Sequence, residues 1–327
     1  TRLGSWAALE YLRQTMGWDG IGQLISDLGE VCRDGSCENE EVSDQALVAA
    51  LGMDQEALNT SWSDYWLETL DNVQQNIDTN LTQRTQAVLE EDLSSFLDTV
   101  DPATPNLLKE EEDWFAANAL YPLESFRLSA KPISLLEDGS VVASMTMEYQ
   151  LADIPGYRGR GSIPVDVLFT ADEGRLLWAG PVFETIEEGL VRVRFPEGSE
   201  EQASILLEKA AAYYSDLALA LGLDDRQIVT INLYDNKPVY EGFISLSHDG
   251  PDWDPGWSTS GHSVKLFSSG ELEDDFILVR HLSRNLLSQM GVQGEWLLNG
   301  GSMVLAGDAA GDILENRAAA SLISLNN

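Results

Sequence analysis

The stretch Val141-Val142-Ala143-Ser144-Met145-Thr146-Met147-Glu148-Tyr149-Gln150-Leu151 sets Val141, Ala143, Met145, Met147, Tyr149 and Leu151 against Ser144, Thr146, Glu148 and Gln150 with a period of two. Successive side chains of an extended chain point to opposite faces, so this pattern predicts a strand with one buried face. Ile163, Val165, Val167 and Phe169 repeat the alternation, and 176–183 supplies a further strand after the turn at Glu173-Gly174. Upstream the period is helical. Trp6, Leu9, Leu12, Met16, Ile21, Leu24, Ile25 and Leu28 predict a helical hairpin broken at Gly17; helices follow from Ser43 to Gly52 and from Asp54 to Leu70. A longer helix is expected over 71–98, and a short one around Trp114 and Phe115. Downstream, a strand over 190–195, a helix over 200–221, strands over 228–234, 240–246 and 264–267, and helices over 273–290 and from Trp296 complete a mixed pattern. Helices followed by long antiparallel strands, then a mixed segment, give an α+β fold class in three parts: 1–70, 71–186 and 187–327.

Composition narrows the function. Against 55 acidic side chains stand 19 basic ones, a formal net charge of −36. Nucleic-acid affinity comes from clustered Lys and Arg that release counterions, and no such cluster exists, so nucleic acid is not an expected partner. Anionic membrane surfaces are disfavoured for the same reason, and no apolar run reaches the roughly 20 residues of a membrane span. With 43% apolar residues and nine each of Trp, Tyr and Phe, the chain is globular. Cys32 and Cys37 flank a polar run containing Gly35. That spacing fits a local disulfide and hence a secreted or cell-surface setting; the other reading, half of a metal site, lacks the second Cys pair that a zinc site of about four ligands takes. The opening Thr1-Arg2-Leu3-Gly4 reads as a mature or excised segment.

Several segments carry possible chemistry. His248, His262 and His281 could form a metal trio, but no two share the short spacing such sites use. Asp249, Asp252 and Asp254 alternate in a Gly- and Pro-containing loop, without the closing Glu of a twelve-residue calcium loop. Gly261-His262-Ser263-Val264-Lys265 departs from a nucleophile elbow, because Lys265 stands where the tight turn needs Gly. Tyr157-Arg158-Gly159-Arg160-Gly161 reads as a basic hairpin loop.

The segment Leu278-Val279-Arg280-His281-Leu282-Ser283-Arg284-Asn285-Leu286, followed by Glu295-Trp296-Leu297-Leu298-Asn299-Gly300-Gly301-Ser302-Met303, is the most informative. It resembles the active-site helices of gluzincin zinc metallopeptidases, the peptidase MA-like group, which carry H-E-x-x-H on one helix and W-L-x-E-G on the next. Two His one turn apart hold the zinc, the intervening Glu activates its water, and the second helix adds a carboxylate ligand. Here His281 matches the first His, Leu282 stands in the place of the base, Asn285 in that of the second His, and Asn299 in that of the carboxylate. The resemblance covers about 189–310 and implies a thermolysin-like half, a mixed sheet with two active-site helices, that has lost its catalytic groups. Residues 1–70 resemble the helical tail of such enzymes, and 71–186 resemble a nuclear transport factor two-like cone. The expectation is a non-catalytic pseudo-peptidase without a cofactor, acting as scaffold or peptide- and protein-binding groove, with Trp296 and His262 as groove residues. The alternatives are a zinc peptidase with atypical ligands, and a small-ligand module built on the cone.

Overall fold

A computed structural model describes residues 2–31, 48, 55–104, 106–136, 138–152, 159–223, 227–247, 256–258, 263–268 and 275–307. The fold is mixed α+β. Helix α1 (Arg2–Val31) is interrupted at Gly17, whose φ of 69° and ψ of 176° are non-helical, so the expected break is present. Helix α2 (Gln55–Leu89) runs unbroken through residue 70, where a boundary between two helices was expected. Its first half is mostly exposed, and its second half buries Ile77, Leu81, Ala87 and Val88. Nothing in the polar sequence around residue 70 breaks a helix: no Gly or Pro falls between Gln55 and Leu89. Helix α2 ends at Leu89, and the turn after it passes through Glu91, whose φ is +57°. The short α3 (Leu93–Leu97) then starts from Asp92, whose side chain accepts the N–H of Ser95 at 3.1 Å.

Helix α4 (Leu107–Asn118) precedes a four-stranded antiparallel sheet of order β1 (Leu123–Leu135), β2 (Val141–Leu151), β3 (Arg160–Asp172) and β4 (Arg175–Pro181). The alternation in 141–151 sits in β2 as expected, whereas the edge strand β1 was not anticipated. Registered rows such as Leu128, Met147 and Ile163, or Ala130, Met145 and Val165, share one face across the sheet. Met145 and Met147 are 1% and 5% exposed; burying each side chain contributes about 1.5–3 kcal/mol. Asn80 pins α2 to this unit by donating to the carbonyls of Thr99 at 2.9 Å and Leu176 at 3.1 Å.

The second sheet has the order β5 (Glu184–Glu188), β6 (Val191–Phe195), β7 (Val229–Tyr234), β9 (Ser263–Phe267) and β8 (Gly256–Ser258). Strands β6, β7 and β9 are parallel, and both edge strands are antiparallel to their neighbours. Helix α5 (Glu200–Ala220) connects β6 to β7, and α7 (Asp275–Gln289) and α8 (Glu295–Ala306) follow β9. The strand expected over 240–246 is instead helix α6 (Lys237–Gly242) with a turn after it. Asn236 caps α6 by accepting the Val239 N–H at 3.3 Å, and the apolar spacing of Val239, Tyr240, Phe243 and Ile244 suits a helix as well as a strand.

This α6 segment seats against the core face of the first sheet. Trp178 stacks on Phe243 with ring centroids 6.4 Å apart, and Phe183 meets Tyr234 edge-on at 5.4 Å. Polar links accompany the packing: Trp114 Nε1 donates to the Gly242 carbonyl at 2.8 Å, and the Leu246 N–H to Asn118 Oδ1 at 2.8 Å. Tyr234 and the α6 side chains therefore belong to the first sheet's core, the second sheet packs a separate core against α5, α7 and α8, and α4 is hydrogen-bonded to both units.

Candidate functional site

Helix α7 buries an apolar stripe of Val279, Leu282 and Leu286 beneath the second sheet and α5, each 0% exposed. Its position is fixed at its first turn, where Asp275 accepts from Lys209 Nζ at 2.9 Å and from Tyr213 OH at 2.8 Å, both on α5. Burial, reinforced by the neighbouring Asp275 carboxylate, pushes the Tyr213 phenol up to about 12. For Asp275 itself burial acts upward, but the hydrogen bonds from Lys209 and Tyr213 outweigh it and hold the carboxyl below its ordinary value.

The four positions singled out from the sequence lie on α7 and α8, and each has a defined occupation. His281 is 3% exposed, and its Nδ1 lies 3.3 Å from Ser258 Oγ on the edge strand β8. The Cδ2–Nε2 edge of its ring faces Gly256 so closely that a Cβ there would stand 2.2 Å from both atoms. Leu282 is core. Asn285 is 0% exposed; its Oδ1 accepts from Gln289 Nε2 at 2.8 Å, and Gln289 also donates to Tyr214 OH at 3.3 Å on α5. Asn299 Oδ1 accepts from Arg284 NH1 at 2.5 Å, and Arg284 NH2 donates to both carboxylate oxygens of Glu295 at 2.9 Å.

These donor sets do not fit a zinc ion. One imidazole is pressed against backbone, one position is aliphatic, and the two amide oxygens already accept hydrogen bonds; amides are in any case poor zinc ligands beside His, Cys and carboxylate. Among the described residues no group of three or more His, Cys, Asp or Glu side chains is arranged around a metal position. His248, His262, Asp249, Asp252, Asp254, Tyr157, Arg158, Cys32 and Cys37 lie outside the described residues, so the trio, the loop, most of the basic hairpin and the cysteine pair do too. Ser263, the serine of the elbow-like segment, is 0% exposed inside β9.

Beside α7 and α8 lies a cleft of about 170 Å³. Trp257 and Ser258 of β8 form one wall, Arg284, Glu295 and Leu298 another, and Glu110 and Trp114 of α4 a third. Trp257 is 41% exposed at its rim, whereas Trp296, at 76% exposure, does not line it. Lys265 and Glu110 stand between this cleft and a small inner cavity of about 20 Å³ at the junction of the two sheets. Glu110 is held there by Asn232 Nδ2, 3.2 Å from each carboxylate oxygen. The α4 wall and β8 were not anticipated: β8 is three residues long, and α4 belongs to a distant part of the sequence. No described helix is long and apolar enough to cross a membrane. Comparisons with protein-family models, with curated proteins and with solved structures returned no significant match to this chain.

Proposed function

We propose that this protein is a non-catalytic relative of the gluzincin metallopeptidases, in which the former active-site cleft survives as a binding groove for a peptide or protein segment. The observation that carries the reading is the fate of Leu282: the position of the general base is a fully buried core residue between Val279 and Leu286. A side chain there neither reaches solvent nor moves a proton. The mixed sheet, with β6, β7 and β9 parallel, and the packing of α8 on α7 support the reading. The cleft beside these helices, walled by Arg284 and Glu295 rather than by positions 281, 282, 285 and 299, offers aromatic, aliphatic and charged walls, a mixture suited to a polypeptide side chain. An extracytoplasmic setting belongs to the same proposal and rests on the Cys32 and Cys37 spacing.

The reading based on a small-ligand pocket in 71–186 has less to support it, since the core face of the first sheet is covered by Tyr234, Tyr240 and Phe243 and the cavity beside them is about 20 Å³. The test is metal analysis and peptide titration of the purified chain. The expected outcome is no stoichiometric zinc, no chelator-sensitive hydrolysis, and peptide binding that quenches fluorescence less in a Trp257→Phe variant. Stoichiometric zinc lost in His281→Ala, together with chelator-sensitive cleavage, would establish the zinc-peptidase alternative instead.

A further inference from the structure

We propose that Arg284 has taken the place of the metal: its guanidinium, instead of a divalent cation, ties α8 to α7 and keeps such cations out of the space between them. The inference rests on the pseudo-peptidase reading. In a site of the H-E-x-x-H type, the carboxylate of the second helix is drawn to a cation held by the first. Here the cation is part of the first helix. Arg284 follows His281 by three positions and precedes Asn285 by one, so it lies within a single turn of both. Its NH1 donates to Asn299 at 2.5 Å and its NH2 takes both oxygens of Glu295 at 2.9 Å, a charge-assisted fork that reaches the start and the next turn of α8. The Arg284 side chain is 17% exposed, against 75% for Glu295, so the guanidinium lines the cleft while its carboxylate partner stands at the solvent edge. A guanidinium stays protonated at any ordinary pH, and a divalent ion beside it meets twice the repulsion of a monovalent one.

Restoring ligand residues is therefore insufficient while Arg284 remains. Full-length chains carrying Asn285→His and Asn299→Glu are prepared with and without Arg284→Met, and zinc sulfate is titrated against a competing chelating dye. The expected result is zinc binding at least tenfold tighter in the chain lacking Arg284. Equal, measurable affinity in both overturns the role of Arg284 and leaves the pseudo-peptidase reading standing. No zinc in either chain overturns both, because positions 281, 285 and 299 then do not converge. A second measurement needs only Arg284→Met in the otherwise unchanged chain: amide hydrogen exchange over 295–306 should quicken at least tenfold while that of α5 is unchanged. Unaltered exchange in α8 refutes the tie.

Discussion

The imidazole of His281 and the backbone of Gly256 are in such close contact that a Cβ at 256 would stand 2.2 Å from Cδ2 and Nε2. Strand β8 thus closes directly over the histidine, and the small residue is what permits the approach. Since the ring is 3% exposed, it has little room to yield. Gly256→Ala should cost about 1–3 kcal/mol through overpacking. The same substitution in a His281→Ala background should cost less than about 0.5 kcal/mol, and urea denaturation of the four chains gives the coupling. Equal costs in both backgrounds would show that the glycine accommodates something other than this ring.

Deeper in the junction, Arg84 NH2 and Glu111 Oε2 form an ion pair at 2.6 Å with both side chains nearly inaccessible, and Trp178 Nε1 adds a hydrogen bond to the same carboxylate at 2.7 Å. The guanidinium lies 4.2 Å from the ring centroid of Phe96 and 4.6 Å from that of Trp178. Burial draws the Arg84 pKa down and the Glu111 charge resists that shift. Glu111→Ala should destabilise by about 3–5 kcal/mol because it strands a buried cation, whereas replacing both partners with Met and Leu should cost far less. Chemical denaturation of the single and double variants distinguishes this from a pair that is merely decorative, for which the losses would add.

How far the sequence reveals such features depends on the range of the interaction. The alternation of 141–151 is readable because one face of β2 is buried at every position except the half-buried Tyr149, and the α7 stripe because Val279, Leu282 and Leu286 repeat at helical spacing. The segment 240–246 reads as a strand because its apolar positions satisfy both periods, and the Asn236 cap favours the helix locally. Nothing local to Arg284 signals its role; only the packing of α8 on α7 brings Asn299 and Glu295 within its reach. The α4 wall carries no local signal at all, since Glu110 and Trp114 reach the cleft through tertiary contact with β7 and α6.

The clasp of Tyr213, Lys209 and Asp275 predicts two limbs of pH dependence. The folded phenol keeps its proton to about 12 while an unfolded tyrosine releases it near 10.0, so the stabilisation is complete below the lower value and is lost as pH rises towards the upper one. Tyr234, raised by burial, acts in the same direction. Asp275 works oppositely: with its folded pKa lowered, its contribution is present above the ordinary carboxylate value of 3.8 and disappears as pH falls through the lowered one. Thermal midpoints measured from pH 9 to about 12 should fall more gently in Tyr213→Phe than in the unmodified chain. A parallel fall in both would remove Tyr213 from the alkaline limb.

Leu282→Glu bears most directly on what the cleft has become. If position 282 merely awaited its base, the substitution would be tolerated and would prime the site. The surroundings argue otherwise, because the side chain is 0% exposed amid Val279, Leu286 and the aliphatic face of the second sheet. An unpaired carboxylate there must either stay protonated or drag water into the core, and the expected loss is several kcal/mol, about the scale of other unpaired buried charges. Leu282→Met, which nearly conserves volume, should cost under about 1.5 kcal/mol and serves as the packing control. Denaturation curves of the two variants beside a fluorogenic peptide assay check both halves of the prediction. A Leu282→Glu chain as stable as its Met counterpart, or one that hydrolyses peptide, would mean that position 282 still faces the cleft and that the pseudo-peptidase reading is wrong.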